Sequence, residues 1–316
     1  MSDSKETLFR EAAEKVCTVV LGKETQVREL MLAVLAGGHV LMEDIPGVGK
    51  TTMALAFSRV LGLDYRRVQF TPDLLPSDLT GFNVYVREEE KFVYREGTVF
   101  CNLLLADEIN RTSPKTQSAL LEVMAERKVT VDGVTRPVPE PFLVIATENP
   151  YGSAGTQMLP ESELDRFMIS LELGYPDEAS ERKMAANLGM MRSAEQIEPV
   201  ASKQDLMDAM REVEKVFISE EVLEYLVSLT RATRGDARLI RGVSPRASIH
   251  LAQMSQAAAW LDGRDYVRPS DVLEQFPHVT RHRLLLNRSA RADGVSPDKI
   301  MDDIAASVPA PTIGKK

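Results

Sequence analysis

The glycine-rich run that ends in Lys50-Thr51 carries the clearest chemistry in this 316-residue sequence. It follows a short apolar run at 39–42 and precedes a helical pattern that starts at Met53. In such a strand–turn–helix context, backbone N–H groups point at phosphate oxygens and the helix N-terminus adds its positive dipole end. Lys50 would reach the β- and γ-phosphates of a nucleotide, and the Thr51 hydroxyl would hold Mg²⁺. The predicted nucleotide contacts are Pro46, Gly47, Val48, Gly49, Lys50, Thr51 and Thr52.

Asp44 departs from the general form of this loop, which has a glycine at that position. Aspartate tolerates unusual backbone angles better than most residues, so the departure does not exclude a phosphate site. The alternative is a chance Gly-Lys-Thr on a surface turn. The flanking strand and helix patterns favour the phosphate loop.

A second set of candidate residues is Asp107-Glu108, which ends the apolar run at 103–106. Ligand sites in open parallel sheets lie at the carboxyl ends of the strands. Asp107 is suited to the Mg²⁺ shell, and Glu108 to orienting or deprotonating the attacking water. Alone, the pair could equally cap a helix or face solvent, but the phosphate loop favours the catalytic role. Asn149, beyond the apolar run at 142–147, could bond the γ-phosphate or this water, although Asn-Pro is also a common turn.

Alternating short apolar runs and helical patterns between 39 and 171 predict the elements that position these residues. They indicate an α/β fold with a mainly parallel sheet that is covered on both faces. Two further segments, 82–95 and 129–138, are predicted to be hairpins, the second with Asp132-Gly133 at its turn. The predicted strands are 39–43, 66–70, 101–106, 142–147 and 168–172.

Only helical patterns follow Tyr175-Pro176. One helix is predicted from about Glu220, which places acids in its first turn, and another from Pro245 with Ser244 as its N-cap. We therefore predict three regions. They are a nucleotide-binding core over 1–176, which includes both hairpins, a helical domain over 177–290 and a C-terminal tail over 291–316.

The composition, with 44% hydrophobic and 27% charged residues, is that of a soluble globular protein. The first residues lack an apolar signal core, and no run reaches membrane-spanning length. Two cysteines, Cys17 and Cys101, favour a reduced intracellular setting over a disulfide framework. We therefore expect a cytoplasmic protein without direct membrane insertion. The net charge of −9 argues against nucleic acid as its partner.

Four segments resemble the ordered motifs of AAA+ ATPases, namely Lys50-Thr51, 104–111, 146–150 and 164–167. Within that superfamily, 43–51, 104–111 and 159–167 closely resemble the MoxR family, which commonly has Asp at the Asp44 position. The resemblance spans roughly residues 15–285. It implies a three-layer αβα core with a five-stranded sheet and an all-α lid. It also implies ATP and Mg²⁺ as cofactors.

The resemblance implies roles for three further residues. Asn149 falls at the first sensor position of the family. Arg166 falls at the arginine-finger position, from which it would reach the nucleotide of a neighbouring subunit. An ion pair with Asp165 or Glu163 is the alternative for Arg166. Arg246 matches the second sensor in a lid helix, from which it could swing onto the γ-phosphate when the lid closes.

The same resemblance assigns the segments around the core. Gly22, in Leu21-Gly22-Lys23, matches the segment that lines the adenine pocket. The two hairpins correspond to insertions of this AAA+ branch, and the 82–95 hairpin is usually aimed at the pore of a ring. Its Tyr85, Phe92 and Tyr94 could contact the pore or a partner, although aromatic residues more often pack across such a ribbon.

The function that the resemblance implies is that of a chaperone-like ATPase of the MoxR type. It would form a homo-oligomeric ring, expected to be a hexamer, because a finger that acts on a neighbour is useless to a monomer. It would remodel or activate partner proteins that carry a von Willebrand factor A domain.

Three alternatives remain beside this function. A motor acting on nucleic acid is disfavoured by the acidic net charge and by the scarcity of basic residues on the second hairpin. The ATPase subunit of a metal chelatase is disfavoured because this chain has no integrin-like module, although a partner could supply one. A nucleotide-gated scaffold that barely hydrolyses ATP is disfavoured by Glu108.

The remaining histidines, cysteines and arginines carry no predicted site. The four histidines and two cysteines lack metal-ligand spacing, so no zinc site is expected. His278 and His282 are expected in a loop. Arg281, Arg283, Arg288 and Arg291 form a basic cluster, for which a solvated face or a contact between neighbouring subunits is the default interpretation.

Overall fold

The structure is a computed structural model that describes residues 5–45, 47–149, 159–186 and 194–311. Two predicted positions, Pro46 in the phosphate loop and Pro150 after Asn149, lie outside the described residues. The last five residues of the predicted tail, 312–316, lie outside them as well.

The centre of the fold is a five-stranded parallel sheet, which consists of β1 Val40–Glu43, β2 Tyr65–Gln69, β5 Leu103–Asp107, β8 Leu143–Glu148 and β9 Ile169–Leu171. The order of the strands across the sheet is β2-β5-β8-β1-β9. All of the strands predicted for the core are therefore confirmed. Because β1 lies in the interior of the sheet, the loop that follows it opens beside the ends of both β8 and β9.

Side chains of the central strands alternate between two apolar clusters, one on each face of the sheet. Leu103 and Leu105 of β5 belong to the first cluster, and Leu104 and Ala106 to the second. Burial on both faces explains why these strands read as continuous apolar runs. Helices α1 Lys5–Cys17, α2 Glu24–Leu35 and α3 Lys50–Val60 cover the first face, and α4 Pro76–Thr80 and α5 Pro114–Glu126 the second. This arrangement confirms the three-layer αβα core.

Both predicted hairpins are confirmed, and they contact each other. The first consists of β3 Phe82–Val86 and β4 Lys91–Arg95, and the second of β6 Lys128–Val131 and β7 Val134–Pro137. Asn83 Nδ2 donates to the Asp132 carboxylate at 2.6 Å, and the Arg136 guanidinium lies 3.8 Å from the centre of the Tyr94 ring. Tyr85 and Phe92 pack edge to face on the exposed side of the ribbon, with ring centres 5.3 Å apart.

The C-terminal region is mainly helical, as expected for a lid, but it also contains a small antiparallel strand pair. Its described helices are α7 Glu178–Ala186, α8 Lys203–Val213, α9 Glu220–Gly235, α10 Pro245–Leu261, α11 Pro269–Thr280, α12 Arg288–Ala292 and α13 Pro297–Ser307, and α6 Glu161–Leu164 precedes β9 in the core. The strand pair is β10 Leu239–Arg241 and β11 Leu285–Leu286, and two 3₁₀ helices span Ile109–Arg111 and Arg281–Arg283.

The lid packs on the same face of the sheet as the N-terminal helices. Phe9 of α1 meets Trp260 of α10 edge to face, with ring centres 5.8 Å apart, and both side chains belong to the first apolar cluster. Core and lid therefore share one apolar cluster. The domain boundary at residue 176 stays a prediction. None of the described helices is both long and apolar enough to cross a membrane.

Three side chains of the predicted loop and basic cluster lie elsewhere than expected. His278 belongs to α11, and His282 to a 3₁₀ helix, so the prediction of a loop for them is wrong. Arg283 is buried between the lid and the core rather than on a solvated face. Burial of the imidazole and the nearby Arg283 charge hold the pKa of His282 well below its usual range.

The prediction of a tail from residue 291 onward is also wrong in part. Residues Pro297–Ser307 form α13, whose Ile300, Met301 and Ile304 are buried against the lid. Ser296 caps this helix by accepting the N–H of Lys299 at 3.2 Å, and Pro297 occupies its first position. The packed part of the chain thus continues to Ser307.

Replacing Ile300 with Ala should destabilise the protein, because it removes buried methyl groups from the α13 contact. We expect a loss of about 2–5 kcal/mol in the free energy of unfolding, measured by denaturant titration. Asp302→Ala on the exposed face of α13 is the matched control, with an expected change below about 0.5 kcal/mol. Equal effects of the two substitutions would show that α13 does not pack on the lid.

Candidate nucleotide site

The phosphate loop follows β1 and leaves an open cradle in front of α3. Gly47 and Gly49 have φ angles of 88° and 101°, a left-handed region that favours glycine. A Cβ atom built at either position would meet no atom within 4 Å, so the loop is open on that side. Gly49 is also the N-cap of α3, whose first N–H groups have no acceptor within the helix. This arrangement fits a phosphate group.

Asp44 connects the start of the phosphate loop to the segment that follows β9. The buried carboxylate accepts the N–H of Ile45 at 2.8 Å through Oδ1 and the N–H of Gly174 at 2.6 Å through Oδ2. The backbone N–H of Asp44 donates to the carbonyl of Glu148 at 3.1 Å. An aspartate at this position therefore fixes the start of the loop, which a glycine could not do.

Lys50 points back along the loop, where its ammonium donates to the carbonyl of Asp44 at 2.8 Å. Burial lowers the pKa of Lys50, while the charges of Asp44, Asp107 and Glu108 oppose that shift. The ammonium thus lies among carboxylates at the end of the sheet. A triphosphate would provide a stronger counter-charge than the carbonyl that Lys50 now contacts.

Asp107 ends β5 and is held from two sides. Thr147 of β8 donates its hydroxyl to Oδ1 at 2.7 Å, and Arg67 of β2 donates to Oδ2 at 2.6 Å. Asp107 lies in register with Gln69 of β2, so the polar residues of this edge strand reach the carboxylates of β5.

Glu108 follows β5 in a left-handed backbone conformation, with φ 56° and ψ 52°. Such angles are uncommon for a residue other than glycine and are concentrated at functional sites. Its N–H donates to Thr147 Oγ1 at 2.8 Å. Its Oε2 accepts from Gln69 Nε2 at 2.8 Å and from Arg111 at 2.7 Å. Both predicted acids are thus brought to the edge of the sheet where the phosphate loop lies.

Sequence reasoning missed the residues that hold these two acids, namely Arg67, Gln69, Arg111 and Thr147. For Arg67 and Gln69, the sequence did contain a signal that could have identified them. Arg67 and Gln69 are polar residues at the end of a predicted strand, where the strands of a parallel sheet present their ligand-binding groups. Thr147 gave no signal, because a threonine is ordinary in a strand.

The residues present fit Mg²⁺ bound together with a nucleotide. Within the described ranges, no group of three or more His, Cys, Asp or Glu side chains could hold a metal ion by itself. Mg²⁺ usually takes one or two protein oxygens and completes its shell with phosphates and water. Thr51 at the start of α3 and Asp107 at the end of β5 would supply those oxygens.

Arg166 and Arg246 lie at the opposite edge of the sheet, where the strands begin; we call it the amino edge. Both line a cavity of about 280 Å³ together with Gly37, Gly38 and His39, which lead into β1. The phosphate loop instead follows the end of β1, and the four residues of this strand span about 13 Å. The expected swing of Arg246 onto its own γ-phosphate therefore does not agree with its position.

The alternative of an ion pair between Arg166 and Asp165 does not match the contacts of these residues either. Arg166 donates to the carbonyl of Leu121 at 2.6 Å. Asp165 instead accepts from Arg283 at 2.9 Å and from Arg246 at 3.3 Å. Ser244 has the backbone of an N-cap, as predicted, but its hydroxyl donates to Asp165 at 2.8 Å rather than capping α10.

Gly22 lies against the start of the lid, and Asn149 follows the strand beside β1. A Cβ atom on Gly22 would come within 2.6 Å of Ser180 Oγ, so the predicted adenine segment rests on the start of the lid. Lys23 beside it donates to the carbonyls of Leu173 and Tyr175 at 2.5 and 2.9 Å. Asn149 directly follows β8, and its carbonyl accepts from Asn110 at 3.2 Å.

Two carboxyl groups, Glu43 and Glu148, end the adjacent strands β1 and β8 in register. Burial raises the pKa of Glu148 to about 7, and the neighbouring Glu43 adds to the shift. Burial also raises the pKa of Glu43, with a hydrogen bond from Ser170 opposing it. Both carboxyl groups therefore keep a proton to a higher pH than an exposed glutamate does.

Comparison with known sequences identifies the family. The profile of the "ATPase family associated with various cellular activities (AAA)" matches residues 39–169, and the "AAA lid domain" profile matches 231–304. The chain is 39% identical to Chaperone MoxR1 of Mycobacterium tuberculosis, over 95% of this chain and 81% of that protein. The chain belongs to the MoxR family of AAA+ ATPases.

Other relatives agree with this placement. The MoxR-family chain is 44% identical to the uncharacterized protein YeaC of Bacillus subtilis, over 96% of this chain and 95% of YeaC. It is 30% identical to Protein MoxR of Methylorubrum extorquens, over 98% of each chain. A crystal structure of a Cytophaga hutchinsonii protein, proposed to be an ATPase, superimposes with a TM-score of 0.91 at 38% identity and covers 98% of this chain and 96% of that one.

Replacing Thr147 with Val should lower ATP turnover, because the isosteric side chain neither donates to Asp107 nor accepts from Glu108. Outer partners of metal-binding carboxylates are worth about 10–100-fold in activity or metal affinity, which sets the expected loss. Steady-state phosphate release at several Mg²⁺ concentrations measures it. Thr130→Val on the exposed hairpin is the matched control, and equal turnover in both variants would rule out this role for Thr147.

Replacing Glu148 with Gln should flatten the pH dependence of stability. A folded pKa raised from 4.5 to about 7 means that the group stabilises the fold fully below pH 4.5 and that this contribution is lost as the pH rises through 7. The wild type should therefore lose about 2 kcal/mol more than the variant between pH 5 and 8. Denaturant titrations test this with exposed Glu122→Gln as control; parallel pH profiles of Glu148→Gln and the wild type would contradict it.

Proposed function

We propose that this chain is an ATPase that works only as a ring, in which ATP is hydrolysed between two neighbouring copies. One observation carries this proposal: the acids and the phosphate loop lie at the carboxyl edge of the sheet, while Arg166 and Arg246 lie at the amino edge. A single chain cannot bring both edges to one phosphate. A head-to-tail arrangement of copies can, and such heterologous contacts close into rings.

The carboxyl edge would bind the nucleotide and activate water. Backbone N–H groups of Gly47–Thr51 and the Lys50 ammonium would hold the phosphates, and Glu108 would take a proton from the attacking water. Mg²⁺ bound between Thr51 and Asp107 would neutralise charge on the phosphate oxygens. Gln69 and Arg111 hold Glu108 on one oxygen, which leaves the other available to water. Asn149 would orient this water from the neighbouring strand.

The amino edge of the next copy would complete the site. Arg166 is the proposed finger, and Arg246 would act beside it on the same neighbouring nucleotide rather than on its own. A guanidinium supplied in trans accelerates phosphoryl transfer by about 10³–10⁵ in characterised enzymes. The sequence predicts that Arg246 acts on the γ-phosphate of its own chain. In this proposal it acts on the γ-phosphate of the neighbouring chain instead, again as a cation.

The work of the ring would be to remodel or activate partner proteins. The joined hairpins present Tyr85 and Phe92 on one exposed ribbon, and the cross-hairpin contacts would make the two insertions move together. The relative named Chaperone MoxR1 supports a protein partner. We propose that the partner carries a von Willebrand factor A domain and that the ring is a hexamer, as the family resemblance implies.

A mixture of two inactive variants tests the shared site. Arg166→Ala should bind ATP normally but turn over about 10³-fold or more slowly, and Glu108→Gln should also be nearly inactive. In a 1:1 mixed ring about one interface in four pairs an intact carboxyl edge with an intact finger, so about a quarter of the wild-type turnover should return. Mixing Arg166→Ala with wild-type-like Asp302→Ala gives the upper reference.

The outcomes separate the candidate functions. Recovery in the mixture supports catalysis between copies. Full turnover of Arg166→Ala alone, or no recovery in mixed rings, would contradict it. Phosphate release that is unchanged in Glu108→Gln would rule out Glu108 as the base, whereas a wild type that binds ATP but releases almost no phosphate would favour the scaffold.

A further inference from the structure

Arg283 of the lid forms hydrogen bonds to the segment Asp165–Met168, which contains the proposed finger Arg166. It belongs to the 3₁₀ helix Arg281–Arg283, and only 3% of its side chain is exposed. Its Nε donates to Asp165 Oδ1 at 2.9 Å. Its terminal nitrogens donate to the carbonyls of Asp165 and Met168, both at 3.2 Å, and to that of Phe167. The backbone on both sides of Arg166 is therefore bonded to one guanidinium.

The remaining contacts of this guanidinium fix it to the lid. Nη1 also donates to the carbonyl of Val279 in α11, and Nη2 lies 2.8 Å from His250 Nδ1 of α10. Burial, together with the charges of Arg283 and Arg246, lowers the pKa of His250 to about 3. The neutral imidazole can therefore accept this hydrogen bond.

The guanidinium stays charged in this position. Burial lowers the pKa of Arg283 to about 10, with Asp165 opposing the shift, so the side chain is protonated at neutral pH. A buried charge needs close partners, and Asp165 provides the only carboxylate within ion-pair distance of Arg283 among the described residues. Asp165 also accepts from Ser244 and Arg246, so three lid side chains converge on it.

We propose that Arg283 is a positioning residue that sets the placement of Arg166 at the amino edge and passes movements of the lid to it. This inference rests on the proposed catalysis between copies. Catalytic groups lose about a hundredfold in rate when they are displaced by about 1 Å. Because Arg283 holds the segment Asp165–Met168 through several acceptors at once, a shift of the lid moves Arg166 with it. The Arg166 guanidinium takes no part in these hydrogen bonds, since it donates to the carbonyl of Leu121.

Arg283→Lys tests the role of these hydrogen bonds, because it keeps the positive charge but cannot form all of them. Lysine is a point charge without the planar fork, so it cannot serve the carboxylate and the carbonyls together. We expect turnover to fall about tenfold to a hundredfold, with unchanged ATP affinity because the phosphate loop lies at the other edge. Arg281→Lys is the matched control, since Arg281 is on the same 3₁₀ helix and pairs with Asp298 at 2.6 Å on the surface.

Subunit mixing then separates positioning of the finger from general damage. A chain with Arg283→Lys keeps its own carboxyl edge, so mixing it with Glu108→Gln should restore turnover as Arg166→Ala does. Full activity of Arg283→Lys alone would overturn the inference. So would failure of this mixture under conditions where the Arg166→Ala mixture recovers. If the Arg166→Ala mixture itself fails, the proposed ring mechanism is wrong instead.

Asp165→Asn provides a second variant if Arg283→Lys does not fold. The amide keeps the shape of Asp165 but removes the charge that Arg283 needs. The same loss of turnover, the same ATP affinity and the same recovery on mixing are expected. Normal turnover of Asp165→Asn, or a loss that mixing with Glu108→Gln does not restore, would overturn the inference.

Discussion

The two edges of a parallel sheet are chemically different, and this difference governs the whole molecule. The strands end where the phosphate loop, Asp107 and Glu108 lie, and they begin where Arg166 and Arg246 lie. The strand β1, which runs from one edge to the other, has four residues and is about 13 Å long. No side chain can cross that distance, so the cations that would neutralise the transferring phosphate belong to a second copy in our proposal.

Hydrogen bonds connect each edge of the sheet to neighbouring elements. Asp44 links the phosphate loop to the residues that follow β9, and Thr147 links β5 to β8 through its hydrogen bonds with Asp107 and Glu108. At the other edge, Asp165 and Arg283 link the segment around Arg166 to the lid. The lid also rests on the first apolar cluster of the core through Phe9 and Trp260. A change in lid position would therefore reach the amino edge directly, and in our proposal it would act there on the nucleotide of the neighbouring copy.

The sequence predicted what depends on local pattern. The strand patterns, the Gly-Lys-Thr loop and the acid pair after β5 each lie within a few consecutive residues. The predicted strands are present, and the loop and the acid pair lie at the expected edge of the sheet. Arg283 was missed because the residues around Arg166 that it contacts lie more than a hundred positions away in the sequence, and a charged cluster normally faces solvent. The direction of Arg246 was missed for the same reason, since the packing of the lid on α1 and α2 decides it. Helix α13 was missed although Ser296, Pro297 and the spacing of Ile300 and Ile304 were visible signals.

The most direct test of the central claim is the dependence of specific ATPase activity on protein concentration. If the site needs two copies, turnover per chain should be near zero at concentrations where light scattering finds monomers. It should rise steeply as larger assemblies form and then level off. A turnover per chain that stays constant down into the monomeric range would contradict a site shared between copies.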